Sequence, residues 1–215
     1  MVKVYAACCA GLKDEARLNA VFPLLDSARQ ARIARLQNTQ KRAQCAAAGL
    51  LLTHLFGNDE QPPRFTHGSR GKPYLVGENA PYFSLSHSGD WVFCAVADSE
   101  VGLDVQEFSH CRDKVAARWF TEPERAWLAE NPDERFAMLW AKKEAYCKFT
   151  GFGLVLPPSS FTVPCPADGW DEANHCCWKE YIHPAELPLA VAVCCKKQDE
   201  FADIIVIKTQ TATGG

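Results

Sequence analysis

The middle of the chain contains three β-rich segments separated by very short turns, and this feature restricts the possible folds most strongly. Phe83 and Leu85 alternate with serines, and an apolar run follows from Trp91 to Ala97. The third segment also alternates, with Val101, Leu103 and Val105 on one face and Gly102, Asp104 and Gln106 on the other. Turn residues at 87–90 and 98–100 separate the three segments. The pattern predicts consecutive strands joined by tight turns.

Helical patterns lie on both sides of these strands. Residues 26–37 are predicted to form a surface helix capped at Asp26 or Ser27. A second capping residue, Thr39, opens a core helix that continues through Phe56. Residues 111–130 and 133–149 are also helical in pattern, and start signals at Thr121 with Pro123 and at Pro132 predict two or three helices there. The proline-rich C-terminal third contains the β-rich runs LAVAVCC and IIVIK, so it is predicted to return to sheet.

Composition narrows the class of protein. The formal net charge of −3 provides no overall field for nucleic acid or an anionic membrane. The eleven cysteines include no CxxC pair and lie mostly in apolar runs, which indicates reduced, buried thiols and a cytoplasmic protein. The longest apolar stretch, Cys45 to Phe56, is too short to cross a bilayer, and the opening residues do not resemble a signal peptide.

A segment of the last long helix carries the sharpest chemical pattern. Trp140, Glu144 and Lys148 recur at i, i+4 and i+8, so an aromatic ring, an acid and a base share one face. Gly151 and Gly153 end this helix with backbone that can approach a ligand closely. For an isolated Glu-Lys pair, a solvated surface contact is the simpler interpretation.

Asp104 and Gln106 form a second pattern. At i and i+2 on one strand, they place two oxygen-bearing side chains on the same face. Together with Glu144 they are typical of a Mg²⁺ site, which needs one or two carboxylates plus water and phosphate oxygens. Taken alone, Asp104 on an alternating strand is more simply a solvent-facing residue.

Two turns are rich in groups that bind anions. Ser86 and His87 stand where a strand runs into a turn, although His87 alone is more simply a turn-closing residue. Lys72 belongs to a basic Arg-Gly-Lys-Pro turn, for which an ordinary exposed loop is the alternative. Adjacent serine and histidine do not form a catalytic triad, because successive strand side chains point to opposite faces.

Five segments, in this order, resemble the 4′-phosphopantetheinyl transferases of the surfactin-synthetase type. The resemblance extends from about Arg70 to Leu154. The matching segments are GKPYL at 71–75, FSLSHSGDWV at 83–92, VGLDVQ at 101–106, WFTEPE at 119–124 and WAKKEAYCKFTGFGL at 140–154.

This resemblance implies an α+β fold of two similar halves, 1–100 and 101–215, each a small antiparallel sheet packed on a long helix, with the active site between them. It implies a Mg²⁺ ion held by Asp104 and Glu144, with Gln106 in place of the family's usual second acid. Coenzyme A is expected to contact Lys72, Ser86, His87 and Lys148. Arg42 and Gln44 are alternative matches for a further family position.

The implied reaction is phosphoryl transfer, in which Glu144 or Glu124 accepts the proton of the attacking serine and Lys148 faces the pyrophosphate. The implied partner is an apo acyl or peptidyl carrier protein, with no nucleic acid and no membrane. Its docking surface is expected within residues 111–128, through Arg112, Lys114, Arg118, Trp119 and Phe120. A monomer suffices for such a site. The alternatives are another Mg²⁺-dependent phosphodiester or nucleotidyl transferase, and a degenerate protein that only binds carrier protein or coenzyme A.

Overall fold

The computed structural model describes residues 1–57, 62–109, 111–166, 168–182, 187–196 and 200–207. Six α-helices and ten strands lie in these residues. The helices are α1 (Glu15–Val21), α2 (Ser27–Arg35), α3 (Thr39–Phe56), α4 (Asp113–Trp119), α5 (Glu122–Leu128) and α6 (Pro132–Thr150). The strands are β1 (Val2–Cys8), β2 (Phe65–His67), β3 (Pro73–Leu75), β4 (Tyr82–Ser88), β5 (Trp91–Ala97), β6 (Val101–Glu107), β7 (Gly169–Asp171), β8 (Cys176–Ile182), β9 (Leu189–Cys195) and β10 (Phe201–Ile207).

The strands form two four-stranded sheets and one small hairpin. The first sheet has the order β10-β1-β5-β4, and the second has the order β6-β9-β8-β7. The β1–β10 pair is parallel, and the other pairs are antiparallel. The predicted α+β class is therefore confirmed. The predicted division near residue 100 remains a prediction; strand β10, from the end of the chain, lies in the first sheet beside β1.

Because apolar residues alternate along the strands, buried side chains form three core layers, one on the outer face of each four-stranded sheet and one between the two sheets. Helix α3 packs on the outer face of the first sheet, and helix α6 packs on the outer face of the second. Between the sheets lies a shared core, built from one face of each, which contains Phe93, Leu103 and Val193. Strand β6 thus has α6 on one face and the shared core on the other.

Local signals account for where the helices begin. Asn38, rather than the predicted Thr39, caps α3, because its side chain accepts a hydrogen bond from the Lys41 amide. The helical run predicted over 111–130 divides into α4 and α5, because Phe120 and Thr121 adopt extended backbone and Thr121 opens a capping box with Glu124. Helix α1, which was not predicted, is capped by Asp14.

The eleven cysteines all lie in the described residues, and no disulfide joins any two of them there. In the portion of the chain that the structure describes, no helix is long and apolar enough to span a membrane.

Candidate active site

A glycine allows the central strand to touch the long helix. A Cβ atom on Gly102 of β6 would lie 2.0 Å from the Ala145 carbonyl oxygen and 2.4 Å from the Phe149 amide nitrogen, both on α6. No side chain fits at that distance, so the two backbones are in direct contact. Asp104, two residues along on the same face of β6, consequently faces the same helix.

The Asp104 carboxylate is buried and is the centre of the site. Its Oδ1 atom accepts hydrogen bonds from the Ser86 hydroxyl and the Lys148 ammonium, each at 2.6 Å. Its Oδ2 atom accepts from the Gln106 amide nitrogen at 2.7 Å. Three elements, β4, β6 and α6, therefore supply the groups around one carboxylate.

Glu144 is the second carboxylate of this cluster. Its pKa is raised to about 7, first by burial, then by the negative charge of Asp104 and a hydrogen bond to it. The positive charge of Lys148 and a hydrogen bond with Trp140 act in the opposite direction. Asp104 and Glu144 thus bring carboxylate oxygens together, and such oxygens are the ligands that a hard divalent cation prefers.

His87 adds a titratable ring within electrostatic range of Asp104 and Lys148. Partial desolvation and the positive charge of Lys148 lower its pKa, while Asp104 raises it. Arg32 of α2 also lowers the pKa of His87, so its charge faces the same region. Arg32 was not among the site residues predicted from the sequence. The sequence feature that could have indicated it is the cluster of arginines in α2.

Comparison with known proteins identifies the family. The model of the 4′-phosphopantetheinyl transferase superfamily matches residues 100–194, which contain Asp104, Glu144 and Lys148. A 4′-phosphopantetheinyl transferase of Bacillus subtilis is 34% identical over 164 residues, 72% of each chain. The 4′-phosphopantetheinyl transferase Sfp of Bacillus subtilis strain 168 is 32% identical over 69% of this chain and 70% of its own. The transferase psf-1 of Bacillus pumilus is 40% identical over 49% of this chain and 47% of its own.

The chain belongs to the 4′-phosphopantetheinyl transferase superfamily. The resemblance noted from its sequence is thereby confirmed, and the chain is a transferase enzyme whose transferred group is 4′-phosphopantetheine.

Lys72 of the transferase lies outside this cluster of side chains. Its ammonium donates to Glu100 at 2.6 Å, to the Val101 carbonyl at 3.1 Å and to the Phe149 carbonyl at 3.2 Å. These bonds fasten the turn before β3 to the start of β6 and the end of α6. The expected contact of Lys72 with coenzyme A remains a prediction.

Glu124 of the transferase is buried in a separate network. Its Oε1 atom accepts from the Val163 amide and the Lys143 ammonium, both at 2.7 Å, and its Oε2 atom accepts from the Thr121 amide at 2.7 Å. Each oxygen is therefore engaged in holding α5, α6 and the following loop together. This environment favours a structural part for Glu124 over the role as a base that the resemblance implied, and the two are separated by the Glu124→Gln variant described below.

Two residues of α3 that the sequence left as alternatives have different partners. Arg42 forms a two-pronged ion pair with Glu15, at 2.8 and 2.9 Å. Gln44 is buried and donates to the carbonyl oxygen of Gly89 at 2.8 Å, in the turn that follows His87. Gln44, rather than Arg42, therefore contacts the turn that follows His87.

The residues expected to form the docking surface differ in their exposure, and the surface itself remains a prediction. Arg112, Lys114 and Arg118 are exposed, and Arg118 lies over the Trp119 ring at 4.5 Å. The expectation for Phe120 is wrong, because this side chain is 1% exposed and packs into the core of the second sheet and α6.

Proposed function

We propose that this chain transfers 4′-phosphopantetheine from coenzyme A to a serine hydroxyl of an apo acyl or peptidyl carrier protein, with release of 3′,5′-adenosine bisphosphate. The observation that carries the proposal is the convergence of Asp104, Glu144 and Lys148 at the contact of β6 with α6. Phosphoryl transfer from a diphosphate uses acids that hold a metal ion and a positive charge close to the phosphates. The two acids and the lysine of this cluster match those needs.

The donor set fits a Mg²⁺ ion. Asp104 and Glu144 supply hard carboxylate oxygens, and their mutual repulsion supports a cation between them. The Gln106 nitrogen points at Asp104, so its amide must rotate before its oxygen can serve as a third ligand. When bound, the ion would neutralise negative charge on the diphosphate.

The side chains of this protein have separate tasks in the proposed reaction. Lys148 and His87 present positive charge or N–H donors to the phosphates, and Arg32 adds charge on the same side. Glu144 accepts the proton of the incoming serine hydroxyl, because it is a carboxylate placed at the contact of β6 with α6 beside Asp104 and Lys148. Ser86 holds the Asp104 carboxylate in place.

We also propose that the architecture consists of two related halves. In each, a four-stranded sheet packs against one long helix, α3 in the first and α6 in the second. A monomer suffices for this proposal, because Asp104, Glu144 and Lys148 already meet within one chain. Exposed Arg112 and Lys114 support an acidic carrier protein as the partner.

The test is a carrier assay followed by mass spectrometry. Wild-type protein, Mg²⁺, coenzyme A and apo carrier protein should yield carrier bearing one phosphopantetheine group. Asp104→Asn and Glu144→Gln should each lower kcat about a hundredfold or more with unchanged circular dichroism. Glu134→Gln, an exposed acid of the same helix α6, is the matched control and should retain wild-type turnover.

The same assay separates the alternatives. Coenzyme A bound without consumption would indicate a binding protein, and consumption without carrier modification would indicate a different phosphodiester transferase. Full activity of either active-site variant would refute the assignment of Asp104 and Glu144.

A further inference from the structure

Three serines join the two sheets at the active site. Strand β4 pairs with β5 in the first sheet, and strand β6 pairs with β9 in the second. Between β4 and β6, backbone amides of β6 donate to serine hydroxyls of β4. These bonds are Leu103 to Ser84 at 3.0 Å, Val105 to Ser86 at 3.3 Å and Glu107 to Ser88 at 3.0 Å.

The contacts form a regular series, which we call the serine seam, consisting of Ser84, Ser86 and Ser88. Each serine hydroxyl accepts a hydrogen bond from the backbone amide of the residue 19 positions later in the chain. The two strands therefore run parallel in register, with a period of two residues. The hydroxyls satisfy amides of β6 that a neighbouring backbone would otherwise pair, and buried amides require such partners.

The serine seam is located where the reacting groups are. Asp104 lies between the first two tethered amides of β6, and His87 lies between Ser86 and Ser88 on β4. A slip of one step along the seam would move Asp104 past His87 by about 6–7 Å, the length of two strand residues. The hydroxyl of Ser86 additionally donates to Asp104, so strand register and carboxylate orientation are set together.

We propose that Ser84 and Ser88 are positioning residues for the transfer reaction. Through the amides of Leu103 and Glu107 they fix β6 against β4, and thereby the Asp104 carboxylate against His87. Neither serine is assigned a contact with coenzyme A, metal or carrier protein. The inference rests on the proposed function and adds to it residues that act only through the backbone of β6.

A purely structural part would affect stability alone, and Ser99 provides the matched control. Ser84 and Ser99 are both buried, at 5% and 7% exposed, but the Ser99 hydroxyl has no hydrogen-bond partner among the residues that the structure describes. Replacing Ser99 by alanine removes a buried hydroxyl without touching the seam. Ser84→Ala removes a hydroxyl of similar burial that accepts the Leu103 amide.

The experiment compares Ser84→Ala, Ser84→Thr, Ser88→Ala and Ser99→Ala in two measurements. Steady-state kinetics with apo carrier protein give kcat and the KM for coenzyme A. Amide hydrogen exchange by NMR, without coenzyme A or metal, reports on Leu103 and Glu107 directly. Each serine-to-alanine change in the seam should accelerate exchange of its partner amide about tenfold, because the hydrogen bond is lost.

The kinetic result decides the inference. Ser84→Ala should lower kcat about tenfold or more at saturating coenzyme A, since small misplacement of a reacting group is costly in rate. Ser84→Thr, which retains a hydroxyl, should restore kcat to within about threefold, and Ser99→Ala should match the wild type. If Ser84→Ala does not fold, Ser88→Ala at the half-buried end of the seam provides the same comparison.

Several results would overturn the inference. Accelerated exchange with a kcat within about twofold of wild type would show that the serines only satisfy amides. Failure of threonine to restore kcat would remove the hydroxyl from the explanation. An inactive wild-type protein would instead refute the proposed function, so the two failures are distinguishable.

Discussion

A Glu124→Gln variant should be markedly less stable than the wild type and, where folded, should keep its turnover. The Lys143 side chain is fully buried, and its ammonium donates to Glu124 Oε1 at 2.7 Å, to the Pro158 carbonyl at 2.7 Å and to the Phe161 carbonyl. Glutamine retains the shape of the side chain but removes its charge. The buried ammonium then loses its anionic partner and keeps the neutral carbonyl acceptors of Pro158 and Phe161.

The magnitude follows from the burial of both partners. Removing one member of a buried ion pair costs about 3–5 kcal/mol of unfolding free energy. Burial already lowers the pKa of Lys143 from its ordinary 10.5, against the opposing effect of Glu124. Instead of remaining charged and unpaired, Lys143 can lose its proton, which at pH 7 costs about 5 kcal/mol for a group whose ordinary pKa is 10.5. The loss of unfolding free energy therefore does not exceed about 5 kcal/mol. Because the glutamine oxygen can still accept one amide hydrogen bond, we expect a loss of about 2–4 kcal/mol.

Urea denaturation followed by circular dichroism measures this loss, and the carrier assay measures turnover below the transition. Glu122→Gln, an exposed acid in the same helix, is the control and should change stability by less than about 0.5 kcal/mol. Adding Lys143→Met to Glu124→Gln should recover part of the loss, because the unpaired cation is removed. Wild-type stability combined with a kcat reduced a hundredfold or more would refute this reasoning and make Glu124 a participant in proton transfer.

Three further outcomes follow from the site. Gly102→Ala should destabilise the fold by about 1–3 kcal/mol and abolish turnover, because the added Cβ meets backbone atoms of α6. Gly11→Ala is the control and should be tolerated, because the nearest atom there is the flexible end of an arginine side chain. Equal stabilities of the two variants would contradict the contact between β6 and α6. Gln106→Glu should tighten Mg²⁺ binding, measured by isothermal titration calorimetry, and weaker binding would show that this side chain is not directed at the cation. Reversing Arg112 and Lys114 to glutamate should raise the KM for carrier protein and leave that for coenzyme A unchanged; an unaltered carrier KM would exclude this surface.

Local periodicity in the sequence determines much of the site. Alternation along β6 predicts that Gly102, Asp104 and Gln106 share a face, and the spacing in α6 predicts that Glu144 and Lys148 share another. These relations depend only on the two-residue repeat of a strand and the 3.6-residue repeat of a helix. They are properties of short segments, which is why the sequence alone is sufficient to predict them.

Tertiary packing decides which of the charged residues meet. Lys72 and Lys148 are both lysines in family-like motifs, yet one pairs with Glu100 and the other with Asp104. Glu124 is turned into the core by its capping box and Lys143, while Glu144 reaches Asp104 only because Gly102 lets α6 touch β6. Such pairings join residues far apart in the chain, and they depend on how closely whole elements pack, which no local repeat encodes.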